Sequence, residues 1–240
     1  MIVREEGGAL VLVRQVDHSE LAGEAALQLA EPAPPASALV AAARVHDNGW
    51  READEAPTWN PRTRRPHTFR DFPAAPYRAI WRRGIGRAIE LDPRVGLLVL
   101  LHGGRFFRAD ADDPRDRAFR DALDAQCSDL LRRAGLEGSL ERAPPEVERQ
   151  FEWVRFLDAL SLVACGGYDW ARRPQVDGVR YDIEGPPNEL RVAPWPFREP
   201  FSLEVETRRV RGTAFSGEAE MRDALLRAQR RVERVRVAPG

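Results

Sequence analysis

The chain has 240 residues and a mass of 27.1 kDa, the size of one large domain or two small ones. Its 43% hydrophobic and 31% charged residues read as an ordinary soluble globular chain, and a net charge of −1 excludes a sequence-wide basic field for nucleic acid or anionic membrane. All 37 basic residues are Arg, which excludes a Schiff-base or phosphate-loop lysine, and four His and two Cys are the whole supply of imidazole and thiol ligands.

The first residues, MIVREEGG, lack a cationic start and an apolar stretch, so no signal peptide is expected and a cytoplasmic location is. Residues 2–14 read as a short hairpin turning at Gly7-Gly8. Asp17 reads as an N-cap, followed by His18, Leu21, Ala25 and Leu29 at helical spacing, with EPAPP at 31–35 as the stop. Ser37 can cap a second helix through Ala41, Val45 and His46, ended by Gly49. From Arg51 to Ala75, Pro57, Pro61, Pro66 and Pro73 predict a long irregular loop of the kind that often carries function.

Pro76 opens a third helix to about Leu91. Asp92-Pro93 and Asp113-Pro114, each an N-cap followed by Pro at the first helical position, open the fourth and fifth. The fourth ends near His102-Gly103-Gly104 and the fifth near Ala134. The apolar run Val95 to Leu101 is too short to cross a bilayer. Pro144-Pro145 opens a sixth helix through Phe151, Val154, Leu157, Leu160 and Val163, closed by Cys165-Gly166-Gly167. Cys127 and Cys165 form no CxxC pair and read as reduced thiols.

Beyond that the pattern turns to strand: Val179–Glu184, Glu189–Val192 and Ser202–Val210, then a helix over 217–230 capped by Ser216, then Val232–Val237. The expected architecture is therefore mainly α. Residues 1–167 form a helical body with an N-terminal hairpin, and residues 168–240 form a β-rich layer packed on it.

The His positions carry the chemistry. His18 opens the first helix, His46 precedes Asp47 at the end of the second, His67 lies in the Pro-rich loop and His102 closes the fourth. Asp158 sits inside FLDALSL, an apolar helical run where a carboxylate is costly to bury without a partner. A cation would resolve that cost, and imidazole with carboxylate suits Zn, Fe, Mn or Ni better than Mg or Ca.

An early helical His, a His-Asp pair on the next helix and a late helical Asp resemble the HD superfamily of metal-dependent enzymes, and HDNGW is similar to its HDxG motif. The order His18, His46-Asp47, His67, His102, Asp158 resembles the dinuclear members. More narrowly, residues 9–165 resemble family 3891 of domains of unknown function. The likeness rests on QVDHSELAG, HDNGW, the Pro-rich loop, LDPRVGLLVLLHGG and FLDALSL.

The resemblance implies an HD-type helical bundle holding two divalent or mixed-valent metal ions, Fe first, with Mn, Zn and Ni as alternatives. Asp47 would bridge them, with His18, His46 and Asp158 on one side and His67 and His102 on the other. Many HD phosphohydrolases place Lys three residues after the motif Asp; here that residue is Trp50, an indole without positive charge.

The leading expectation is a mixed-valent di-iron oxygenase acting on a small molecule. The alternatives are a metal-dependent phosphohydrolase or other hydrolase, and a non-catalytic HD-like binding domain. Asp47 and Trp50 are the expected catalytic residues, and Arg62, Arg64, Arg65 and Arg105 the expected contacts to an anionic substrate. The Arg run from Arg227 to Arg234 reads as a solvated face, and neither nucleic acid nor membrane is an expected partner.

Overall fold

The computed structural model describes residues 1–30 and 37–240, so the proposed stop at 31–35 lies outside the described residues. The hairpin forms as expected. β1 (Ile2–Glu6) and β2 (Ala9–Val13) pair antiparallel across Gly7 and Gly8, whose φ of +55° and +72° are left-handed values that glycine adopts without steric cost.

Helix α1 (Gln15–Ala26) starts two residues before the expected cap. Arg14 takes the cap position, and Asp17 in the first turn grips the Arg14 guanidinium with two 2.7 Å hydrogen bonds. Helix α2 (Ser37–Val45) stops one residue short of His46. His46 and Asp47 fall in the turn that follows, leading into a short 3-10 turn at Asn48–Trp50 and helix α3 (Arg51–Glu55). A small two-stranded ribbon, β3 (Trp59–Asn60) and β4 (Arg65–Pro66), organises the expected loop.

Helices α4 (Ala74–Leu91), α5 (Pro93–Gly104), α6 (Pro114–Arg133) and α7 (Pro145–Gly166) follow as the sequence predicts. Asp92 and Asp113 cap as expected, accepting from the backbone N–H groups of Arg94 and Val95 and of Arg115. Helix α5 is buried from Val95 to Gly104, which fits an element apolar on every side. Each fully buried Leu there contributes about 2 kcal/mol relative to an exposed one. It packs against α2, α4, α6 and α7, while α1 lies across α2 and α7.

The C-terminal region supplies β5 (Gln175–Val176), β6 (Val179–Arg180), β7 (Asp182–Glu184), β8 (Glu189–Ala193) and β9 (Phe201–Arg211), then α8 (Glu218–Leu226) and β10 (Gln229–Pro239). The mainly α expectation is wrong. The chain is 48% helical and 22% strand, and a curled six-stranded mixed sheet is a main part of it. Its order is β1-β2-β9-β10-β8-β7, with β10 parallel to β8 and the other pairs antiparallel.

The hairpin is thus no appendage. Leu10, Val11 and Leu12 pair with Val210, Arg209 and Arg208, so strands from both ends of the chain share one sheet. One face of the sheet, with Ile2, Val13, Leu203, Val205, Val235 and Val237, meets the helical core. The other, with Leu10, Leu12 and Val210, closes on Phe215 and on Met221 of α8. A mainly α HD bundle does not describe this architecture. Among the described residues, no helix is long and apolar enough to cross a membrane.

Candidate metal centre

Five of the six expected ligands converge. His18 comes from the first turn of α1, His46 and Asp47 from the turn after α2, His102 from the last turns of α5 and Asp158 from the middle of α7. His46 sits in the middle, its ring centroid 4.9 Å from those of both His18 and His102. The donor atoms form two groups that could each hold a metal ion, His18–His46–Asp47 and His46–His102–Asp158, with all atoms of a group within 4.8 Å.

The hydrogen bonds fix which ring nitrogens face inward. His46 Nδ1 lies 2.8 Å from the Ala43 carbonyl, which can only accept, so Nδ1 carries the hydrogen. His46 Nε2 is then a buried lone pair without a hydrogen-bond partner among the described residues, 3.3 Å from Asp158 Oδ1 and 4.0 Å from Asp47 Oδ2. The same logic applies at His18. The Ser161 hydroxyl donates to the Asp158 carbonyl at 2.8 Å and so accepts from His18 Nδ1 at 2.9 Å. That turns His18 Nε2 towards Asp47 Oδ2, 2.9 Å away. Gln15 Nε2 donates to the same oxygen at 2.8 Å.

Lone pairs therefore face carboxylate oxygens at two places, an arrangement that needs a cation or an added proton. Imidazoles held through Nδ1 by a carbonyl or hydroxyl, with Nε2 free, are the usual preparation for metal ligation. The donor set of three imidazoles and two carboxylates fits a first-row divalent ion.

The electrostatics agree. Burial works against a charge on His46, but the Asp158 carboxylate and the charges of Asp47 and Asp158 outweigh it and raise the imidazole to about 9. Burial likewise opposes ionisation of Asp47 and Asp158, yet hydrogen bonds and charges from the histidines hold both below the usual carboxylate range. Burial pushes His102 down to about 4, aided by His46 and Arg155 against the pull of Asp158 and Asp47. Without an ion, the centre holds a proton on His46.

His67 does not join the group. Its Nδ1 faces the Asp71 carbonyl at 3.1 Å, and its ring packs on Phe72, whose other neighbour is Trp50. Three of the four expected arginines are also elsewhere, and the fourth, Arg105, lines a cavity beside the centre. Arg62 is exposed, Arg64 reaches the Phe215 carbonyl at 3.3 Å and Arg65 pairs with Glu5 at 2.7 Å. Arg105 is gripped by both oxygens of Glu148, at 2.6 and 2.7 Å.

A cavity of about 460 Å³ opens beside Asp47, His102 and Asp158. Trp50, Phe72, Tyr77 and Trp81 line one part, and Phe69, Phe106 and Trp170 another, with Arg70 the cation on its wall. Trp50 is expected from the sequence and lies here, buried, stacked edge-on against Phe72 and Tyr77, with its Nε1 unpartnered. A close approach fixes the wall behind His102: a Cβ on Gly103 would lie 2.1 Å from the Trp81 ring.

Gln15, Ser161, Arg70, Phe106 and Trp170 escape the sequence reading. For two of them a signal exists. Gln15 lies three residues before His18, and Ser161 three after Asp158, so each shares a helix face with a ligand.

The model of a family described as a protein of unknown function (DUF3891) matches residues 1–212. No curated protein and no solved structure matches the chain.

Proposed function

The chain belongs to the DUF3891 family, whose description assigns no activity, and from the geometry of its own centre we propose that it is a metal-dependent enzyme of HD type acting on a small molecule in the aromatic cavity. The observation that carries this reading is His46 Nε2, a buried lone pair without a hydrogen-bond partner among the described residues, facing Asp158 Oδ1 at 3.3 Å. A bound first-row ion would supply Lewis acidity and a lowered pKa for a coordinated water, and iron would add chemistry with dioxygen.

The residues of the chain have separable roles. Asp47 and Asp158 balance the charge of the ion. Gln15 holds Asp47 in place through its Oδ2, and Ser161 and the Ala43 carbonyl hold the His18 and His46 rings. Trp50, Tyr77 and Trp81 exclude water from one side of the centre. Against such an apolar wall a fixed charge acts more strongly than in bulk water.

An iron-dependent oxygenase is the reading the cavity supports best. Its wall is largely aromatic, Trp50 stands where many HD phosphohydrolases have Lys, and the chain has no Lys at all. A hydrolase using one divalent ion is the second reading, favoured by the position of His67. The two candidate ligand groups share His46, whose one free nitrogen, Nε2, can serve a single ion, and a second ion would need a further ligand such as His67 to turn inward.

Metal analysis of protein purified with and without air tests both. Stoichiometric iron with dioxygen uptake supports the oxygenase, and a mixed-valent EPR signal would mark a two-ion centre. Mn, Ni or Zn with activity on generic phosphodiesters replaces it with the hydrolase. No stoichiometric metal, with no change in stability on chelation, overturns both.

A further inference from the structure

Two cavities meet at the centre. Beside the aromatic one lies a second of about 360 Å³, and the two share His102, Phe106, Asp158 and Trp170. The second is lined by Arg105, Arg155 and Arg173, with no carboxylate other than Asp158 among the described residues.

These guanidiniums are not equally available. Arg105 is occupied by Glu148. Arg173 is 74% exposed and has only a loose contact, 3.5 Å, with Asp182. Arg155 has no carboxylate partner among the described residues; its guanidinium lies 5.8 Å from the Phe151 ring, and it precedes Asp158 by three residues on α7, hence on the same side of the helix. A divalent ion at the centre would cancel the charges of Asp47 and Asp158. The charge left around both cavities would then be positive.

Two further features call for a ligand. Trp50 Nε1 is a hydrogen-bond donor without a partner among the described residues, on a residue only 1% exposed in the cavity wall. Phe106 and Trp170 are 55% and 57% exposed at the junction of the two cavities, where apolar rings are left without cover.

We propose that the substrate is an amphiphilic organic anion. Its ring or short apolar body seats against Trp50, Tyr77 and Trp81, and its terminal oxyanion passes Phe106 and Trp170 to meet Arg155 and Arg173. This rests on the metalloenzyme reading for the position of the reacting end, whereas the anion subsite itself needs no ion.

The test uses three probes on the full chain: 3-phenylpropionate, the uncharged 3-phenylpropan-1-ol and propionate. Binding is followed by tryptophan fluorescence, before and after chelation, since Trp50, Trp81 and Trp170 line the cavities. Phenylpropionate should bind about tenfold tighter than either other probe, with a preference that fades as salt rises. The double variant Arg155→Gln/Arg173→Gln, changing two exposed residues, should abolish that preference and leave the alcohol unaffected.

Equal binding of acid and alcohol, no binding of phenylpropionate, or an unchanged preference in the double variant overturns the proposal. A preference that disappears on chelation and ignores the arginines puts the carboxylate on the ion; the subsite is then wrong and the metal reading stands. An arginine-dependent preference in a protein that never holds metal does the reverse: the subsite stands and the metal reading falls.

Discussion

His46 Nε2 and Asp158 Oδ1 face each other across 3.3 Å, and the ring hydrogen of His46 is committed to the Ala43 carbonyl on the opposite side. Two acceptors at this distance need a positive charge between them. A proton on His46 meets the need in the metal-free chain, and a metal ion meets it better, because beside His46 it can also engage His102 and Asp158, or His18 and Asp47.

The pH dependence follows. Metal must displace the proton that Asp158 and Asp47 stabilise on His46, whose value they raise to about 9. Affinity should therefore rise about tenfold per pH unit from 7 towards 9 and level off above. In chelated protein, the raised His46 value contributes stability that is complete below its ordinary 6.5 and lost as pH rises through about 9. The lowered values of Asp47 and Asp158 contribute stability that is complete above 3.8 and lost as pH falls. His102, lowered to about 4, adds stability that is complete above 6.5 and lost as pH falls towards 4. Thermal melts of chelated protein should peak near neutrality, and melts with metal should peak higher on the pH scale. A flat metal affinity from pH 7 to 9 contradicts this account.

Ser161→Ala removes the acceptor of His18 Nδ1–H while leaving every ligand present. The ring is then free to turn or to change tautomer. Metal affinity should drop about 10- to 100-fold by isothermal titration, with helical content unchanged by circular dichroism. Ser161→Thr, which keeps the hydroxyl, should recover part of the loss.

His67→Ala and Asp158→Ala separate the convergent ligands from the outlying one. Asp158→Ala should abolish stoichiometric metal, because it removes the oxygens nearest His46 and His102. His67→Ala should leave metal content as it was. Loss of metal in His67→Ala would show that His67 turns inward when the ion is bound.

Gly103→Ala tests the wall rather than the ligands. The added Cβ would meet the Trp81 ring at 2.1 Å, so α5 and α4 must part or Trp81 must tilt into the cavity. The variant should lose about 1–3 kcal/mol of stability by denaturant titration, the usual range for overpacking. Its tryptophan fluorescence should also shift.

Much of the candidate site is legible in the sequence because His18, His102 and Asp158 sit on helices and His46-Asp47 in the turn that closes one. The apolar runs around Asp158 and His102, with the cap at Asp92 and the Pro144-Pro145 start of α7, fix where α5 and α7 lie, and helix packing then brings their polar residues together. His67 departs from its expected place for the opposite reason. It lies in a stretch whose course is set by local contacts such as Asp71 with Thr68 and Asn60, which carry no periodic signal. The sheet is hidden differently. Its strands are readable one by one, but the pairing of β2 with β9 joins residues from opposite ends of the chain. Strand pattern fixes which face is buried, not which distant strand is the neighbour. Arg62, Arg64 and Arg65 read as anion contacts by proximity in sequence to the loop, whereas Arg155, a helical turn before Asp158, lines a cavity at the centre and they do not.

The most direct test is elemental analysis of the protein purified without added metal, beside its His46→Ala variant. Stoichiometric first-row metal in the native chain and none in folded His46→Ala is the predicted result. A native chain that carries no such metal even after reconstitution, or a His46→Ala variant that retains it in full, would contradict the account.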